Sequence, residues 1–192
     1  MGNARLEAFS DGVLAIIITI MVLELKVPHS TDLHALIELW PVFLSYVLSF
    51  LYVGIYRNNH HHLMHACKGT TAGVMWANLA LLFCLSLVPF TTGWMGENHF
   101  AQLPVLLYAL NLALAGLAYY VLQSVVLSVH DRDSGLVQAF GADIKGKGSL
   151  VIYLVAMGLS FAPPDVAFAL TALPALWWMV PDRRIERALG GH

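Results

Sequence analysis

Along this chain, apolar residues gather into long blocks separated by short polar patches, without the strict alternation of a half-buried strand. Six blocks stand out, covering roughly 9–27, 40–57, 72–92, 104–128, 149–162 and 166–181. The last two are short and are separated only by "APPD", which predicts a tight turn between two antiparallel helices. One sizeable polar stretch remains, "HDRDSGLVQAFGADIKGKG" at 130–148, expected to be a loop. No internal repeat or low-complexity tract divides the chain. The pattern predicts an all-α protein, a single six-helix unit over residues 1–192.

Composition gives these helices their solvent. Hydrophobic residues make up 58% of the 192 residues and charged residues 11%, with a mean hydropathy of +0.70. A soluble domain is about a quarter charged, so the expected class is a polytopic membrane protein in contact with lipid. A net charge of −2 with no Lys/Arg run leaves no basic surface for nucleic acid. Cys67 and Cys84 make neither a disulfide framework nor a CxxC site. The first block follows a single Arg5 and ends without a small-residue cleavage site, so it is expected to be a retained helix.

Charge also orients the helices. Six spans put both termini on one side, together with Arg5, Arg57, Lys68, Arg132, Lys145, Lys147, Arg183, Arg184 and Arg187. Lys26 alone falls on the other side. By the positive-inside rule both termini are expected in the cytoplasm.

The first block, "RLEAFSDGVLAIIITIMVLEL" (5–25), carries the polar residues that call for an explanation. On a wheel of about 100° per residue with Ile16 at zero, Thr19 falls near −60°, Ile20 near +40° and Leu23 near −20°. The four share an arc of about 100°, whereas Asp11 lies at about −140°. One face thus carries Asp11 and its hydrogen-bonding needs; another is apolar apart from Thr19. Periodicity alone favours packing or lipid contact for that stripe, with Thr19 bonding back to its own helix.

The residues Arg5, Phe9, Ser10 and Asp11, as R-x-x-x-F-S-D, followed by A-I-x-I-T-I-x-V-L-E-L, resemble the signature of the transmembrane-protein-175 family of potassium channels. Similar matches follow in Tyr46, Ser49 and Phe50, in the histidines at 60–62, in Trp76, Asn78 and Leu79, and in Leu87 to Phe90. They cover roughly residues 5–92; beyond that only hydropathy and helix count agree. The resemblance implies a homotetramer whose first helices line a central pore, without a TVGYG-type carbonyl filter, and none occurs here. It further implies that Ile16 forms the tightest apolar ring, Thr19 a hydroxyl ring linked to selectivity, and Ile20 and Leu23 further constrictions. The bacterial members it resembles lie in the cell membrane, which implies an inner-membrane location.

Such a pore is physically coherent. One chain has too few polar spanning residues to enclose water, so the path must form at an oligomer axis. Apolar rings gate by dewetting, and conduction needs several weak sites. A hydroxyl ring favours the ion that dehydrates more easily, so a modest potassium preference over sodium is expected. Arg5, Phe9, Ser10 and Asp11 then read as one end of a structural network. Asp11 is expected to accept from a histidine, an indole or an amide, with His60, His61, Trp76 and Asn78 as candidates.

Two other classes compete. A small transporter would want polar groups or broken helices near the midplane, and the prolines are expected near span ends. A membrane metalloenzyme would use "RNNHHHLMHACK" (57–68), where His61, His62 and His65 have ligand spacing on a helix. No second HxxxH or HExxH and no nucleophile–base pair accompanies it, so no enzyme, bound metal or cofactor is expected, only a permeant potassium ion. Gly12, Gly93, Gly96 and Gly116 are expected to serve helix contacts or turns, and Trp94, Trp177 and Trp178 to anchor at the membrane interface.

Overall fold

In a computed structural model of the protein, residues 2–129, 144–159 and 164–179 are described, and every element among them is helical. These are α1 (Asn3–Met21), a 3-10 turn (Val22–Glu24), α2 (Leu33–Glu38) and α3 (Trp40–Ala66), followed by α4 (Ala72–Ser86) and α5 (Val88–Glu97). The chain continues through α6 (Gln102–Leu127), α7 (Ile144–Leu159) and α8 (Pro164–Met179). With α4 and α5 as one interrupted span, six helical passes result, as the hydropathy pattern predicts. Among the described residues, three segments are by themselves long and apolar enough to cross a membrane: Asn3–Glu24, Ala72–Glu97 and Gln102–Leu127.

Several boundaries differ from the apolar blocks. α1 begins at Asn3 rather than near residue 9, and α3 continues to Ala66, past the block edge at 57. A charge or histidine run ends a hydropathy block without ending a helix, because the backbone hydrogen bonds continue outside lipid as well as within it. α2 was not expected at all. α7 begins at Ile144, so the polar stretch 130–148 closes in helix; residues 130–143 of that stretch, Ala162 and Pro163 of the APPD turn, and the tail from 180 lie outside the described residues.

Two prolines depart from the expected placement near span ends. Pro89 sits at the start of α5, inside the third pass, and Pro174 lies within α8. Proline has no N–H for the carbonyl one turn back, so the helix breaks at Leu87, and α5 restarts with Pro89 in its first turn. Thr91 and Thr92 follow at once and donate their hydroxyls to the carbonyls of Leu87 and Val88.

α6 packs against α4, α5 and α7, α7 against α8, and α3 against α5 and α8; α1 lies along α3, α4 and α5. In lipid, helices associate through close packing and interhelical hydrogen bonds rather than through burial from water. Both devices are present. A Cβ on Gly96 would lie 2.8 Å from the Val42 Cα, so only glycine lets α5 and α3 meet there. With the Thr92 hydrogen given to the Val88 carbonyl, Ser49 donates to Thr92 Oγ1 at 2.7 Å and accepts from the Tyr108 hydroxyl at 3.0 Å, linking α5, α3 and α6. Tyr52 donates to the Thr171 carbonyl and fastens α8 to α3.

Candidate functional site

α1 has two faces of contrasting exposure. Leu6, Ser10, Leu14, Ile17 and Met21 are buried, repeating at intervals of three and four residues, and press onto α3, α4 and α5. Ile16 (58% exposed), Ile20 (44%) and Leu23 (75%) lie on the opposite side. Thr19, Phe9 and Gly12 are exposed with them. The arc read from the wheel is thus one open stripe of a single chain. Thr19 donates its hydroxyl hydrogen to the Ile16 carbonyl at 2.9 Å, which leaves the Oγ1 lone pairs facing outward. This bond closes to the third residue back, not the fourth. Ile16 and Ile20 also edge a groove of about 690 Å³ between α1 and the Ser86–Glu97 segment.

The buried face is held by polar ties at the N-terminal half of α1. The His60 ring is buried, and its Nε2 lies 2.7 Å from Asn78 Oδ1. Asn78 donates from Nδ2 to Ser10 Oγ at 2.9 Å, and Ser10 donates to the Leu6 carbonyl at 2.9 Å. An amide oxygen only accepts, so the direction is fixed: His60 to Asn78 to Ser10 to the backbone of α1. One buried chain of hydrogen bonds therefore joins α3, α4 and α1.

Asp11 is tied differently from the expectation. Its carboxylate lies 3.4 Å from Arg57 Nε of α3, not against an indole, an amide or a histidine. Arg57 reaches it because α3 runs on as a helix through this position. Glu7, one turn before Asp11, lies 2.7 Å from His61 Nδ1. Asn3 adds a bond to the Cys67 carbonyl and accepts from the Thr70 hydroxyl at 2.7 Å.

Of the expected network, the structure brings together Ser10, His60 and Asn78, places Asp11 on Arg57, and places His61 on Glu7. Arg5, Phe9 and Trp76 are not part of it within one chain. Arg5 is exposed and makes no ion pair among the described residues. Phe9 and Trp76 also face outward, Trp76 at 72% exposure.

Glu7 and Arg57 are the members that reading the motifs missed, although a signal existed. Glu7 and Asp11 are four residues apart on one helix, and Arg57 and His61 are four apart on its antiparallel neighbour. Those spacings put each pair on one face, acid opposite base.

The far end of α1 carries a different charge group. Lys26 pairs with Glu97 at 2.6 Å, and Glu97 and Glu24 both line the groove beside α5. Lys26 lies outside the spans, and its ammonium pKa is raised by the hydrogen bond to Glu97 and by that carboxylate's charge. The basic residues Arg5, Arg57 and Lys68 stand at the other end, at the start of α1 and where α3 gives way to α4.

The family described as "Endosomal/lysosomal potassium channel TMEM175" matches residues 5–89. A protein of a Chryseobacterium species, named a potassium channel, is 48% identical over 98% of this chain and 98% of its own length. A potassium channel of Streptomyces collinus is 34% identical over 62% of each chain. A crystal structure of a lysosomal potassium-selective channel TMEM175 homologue from Chamaesiphon minutus superposes with a TM-score of 0.80 at 27% identity, over 95% of this chain and 97% of that one. With the family model matched over residues 5–89 and a relative 48% identical over 98% of both chains, the chain belongs to the TMEM175 family.

Proposed function

We propose that the protein is a potassium-permeable channel of a bacterial inner membrane, in which four copies surround a pore lined by α1, with both termini in the cytoplasm. Its family and the potassium channels it is similar to support the ion. The observation that carries the pore assignment is the division of α1. One face is fixed by buried hydrogen bonds, while Ile16, Thr19, Ile20 and Leu23 stand free on the other.

In this reading Ile16, Ile20 and Leu23 form successive apolar constrictions that exclude water unless widened. Thr19 supplies the polar step between them. Its hydrogen is committed to the Ile16 carbonyl, so a ring of Thr19 oxygens acts as acceptors toward a cation. Few acceptors cannot replace a whole hydration shell, which favours potassium over the more tightly hydrated sodium only modestly. The ties of Ser10 and Asp11 act as a brace that sets how far α1 leans from the axis. At the outer end Lys26 offsets the Glu97 charge, and Glu24 in the same groove supplies the remaining negative charge that raises the local cation concentration.

Potassium and sodium flux into liposomes tests the assignment. Ile16→Ala and Leu23→Ala should each raise flux, and Thr19→Ala should change the potassium-to-sodium ratio. If all three conduct and discriminate as the wild type does, α1 does not line the path.

A further inference from the structure

We propose that His61 and His65 form a binding site for a borderline divalent metal ion of the zinc class, with Glu7 of α1 orienting the first imidazole. The two histidines are one turn apart on α3, and their Nε2 atoms lie 3.2 Å apart with the rings at 88°. Two imidazole nitrogens bound at about 2.0–2.1 Å to one tetrahedral zinc are separated by roughly 3.3–3.4 Å. The pair already has that spacing.

The protons are also in the right places. Glu7 Oε1 lies 2.7 Å from His61 Nδ1, and a carboxylate accepts, so Nδ1 carries the hydrogen and His61 Nε2 presents a lone pair. The hydrogen between the two Nε2 atoms therefore belongs to His65. His65 is exposed, so solvent can carry this proton from Nε2 to Nδ1 of the same ring. Both Nε2 atoms then present lone pairs at the spacing that one metal ion bridges, with no net proton released. The carboxylate–imidazole–metal order that results fixes the ring and makes it a better donor. One ligand atom from each of Glu7, His61 and His65 lies within 4.8 Å of the others, and none of the three residues is fully buried, so an ion has access. Water completes the coordination sphere. His62, one residue on, is turned about 100° around the helix and is not among the three.

This site departs from the expectation that the histidine run holds no metal. The reason is that the orienting carboxylate stands 54 residues away in the sequence. Binding is independent of whether α1 lines a pore. Because Glu7 belongs to α1, occupancy also stiffens the link between α1 and α3.

The experiment is calorimetric titration of tag-free protein in detergent with zinc chloride, with visible absorption of added cobalt(II) as a geometric check. One equivalent per chain is expected, with the intense bands of four-coordinate cobalt. The double variant His61→Gln/His65→Gln should bind about a hundredfold more weakly, and Glu7→Gln about tenfold. His62→Gln should match the wild type. His65→Gln alone, at an exposed position that does not endanger folding, should lose at least about tenfold. The assignment is overturned by a wild type that shows no saturable binding, by full affinity in His65→Gln, or by an equal loss in His62→Gln.

Discussion

Asn78 is the joint on which the α1 brace turns. It gives one hydrogen bond to Ser10 and takes one from His60, and all three residues are buried. Asn78→Leu keeps the volume but leaves the buried His60 Nε2 hydrogen without an acceptor, while Ser10 keeps its bond to the Leu6 carbonyl, at a cost of about 1–3 kcal/mol for the unsatisfied group. Thermal unfolding in detergent should show a clearly lower midpoint, and a midpoint within a degree of wild type would remove the joint from the account. Asp11 and Arg57 are partly exposed, so their pair contributes to position more than to stability. Asp11→Ala should accordingly disturb assembly or gating more than ion preference, and normal current from an intact oligomer would count against it. Ser10, His60 and Asn78 were legible in the sequence because polar residues inside apolar spans must find each other. The partner of Asp11 was not. Arg57 looked like the edge of a span, and only the continued helix of α3 carries its side chain along α1.

At the level of elements, the contact between α3 and α5 depends on one missing methyl group. A Cβ on Gly96 would overlap the Ser45 hydroxyl and press on the Val42 backbone, which cannot swing aside as a side-chain tip can. Gly96→Ala should therefore destabilise the fold by about 1–3 kcal/mol, the range for overpacking. Gly54, inside α3, has nothing within 4 Å of its would-be Cβ, so Gly54→Ala should be neutral or gain up to about 1 kcal/mol from helix propensity. Opposite signs from the same chemical change, read as unfolding midpoints, separate contact from propensity; equal shifts would contradict the close approach. Here too the sequence was only partly readable. Gly96 was legible as a helix-contact or turn residue, but nothing local distinguishes it from Gly54. The break at Leu87 was written in Pro89, yet hydropathy averages over it, because both sides are equally apolar. α2 escaped for the opposite reason: six residues are too few to register as a block.

For the whole molecule, the apolar blocks determined the number of passes, since in lipid every backbone group must be satisfied within its own helix. What they could not determine is which face of each helix meets its neighbours, because a lipid-facing leucine and a core leucine read alike. α1 shows the consequence: its buried face became clear only through the burial of Leu6, Ser10, Leu14, Ile17 and Met21. The charge distribution is the remaining large-scale signal, and it leads to a prediction about orientation. Arg5, Arg57 and Lys68 gather at the end where α3 gives way to α4, whereas Lys26 at the opposite end is joined to Glu97. Lysine and arginine are retained on the cytoplasmic side during insertion, so the turn after α5 should face outward. Asn98 and Lys68 are both exposed and mark the two ends. In a background with Cys67 and Cys84 replaced by alanine, a membrane-impermeant maleimide added to intact cells should label Asn98→Cys. Lys68→Cys should react only after the membrane is permeabilised. The reverse order would place the termini outside and turn Glu24 and Glu97 toward the cytoplasm, so that the acidic end could no longer gather cations for entry.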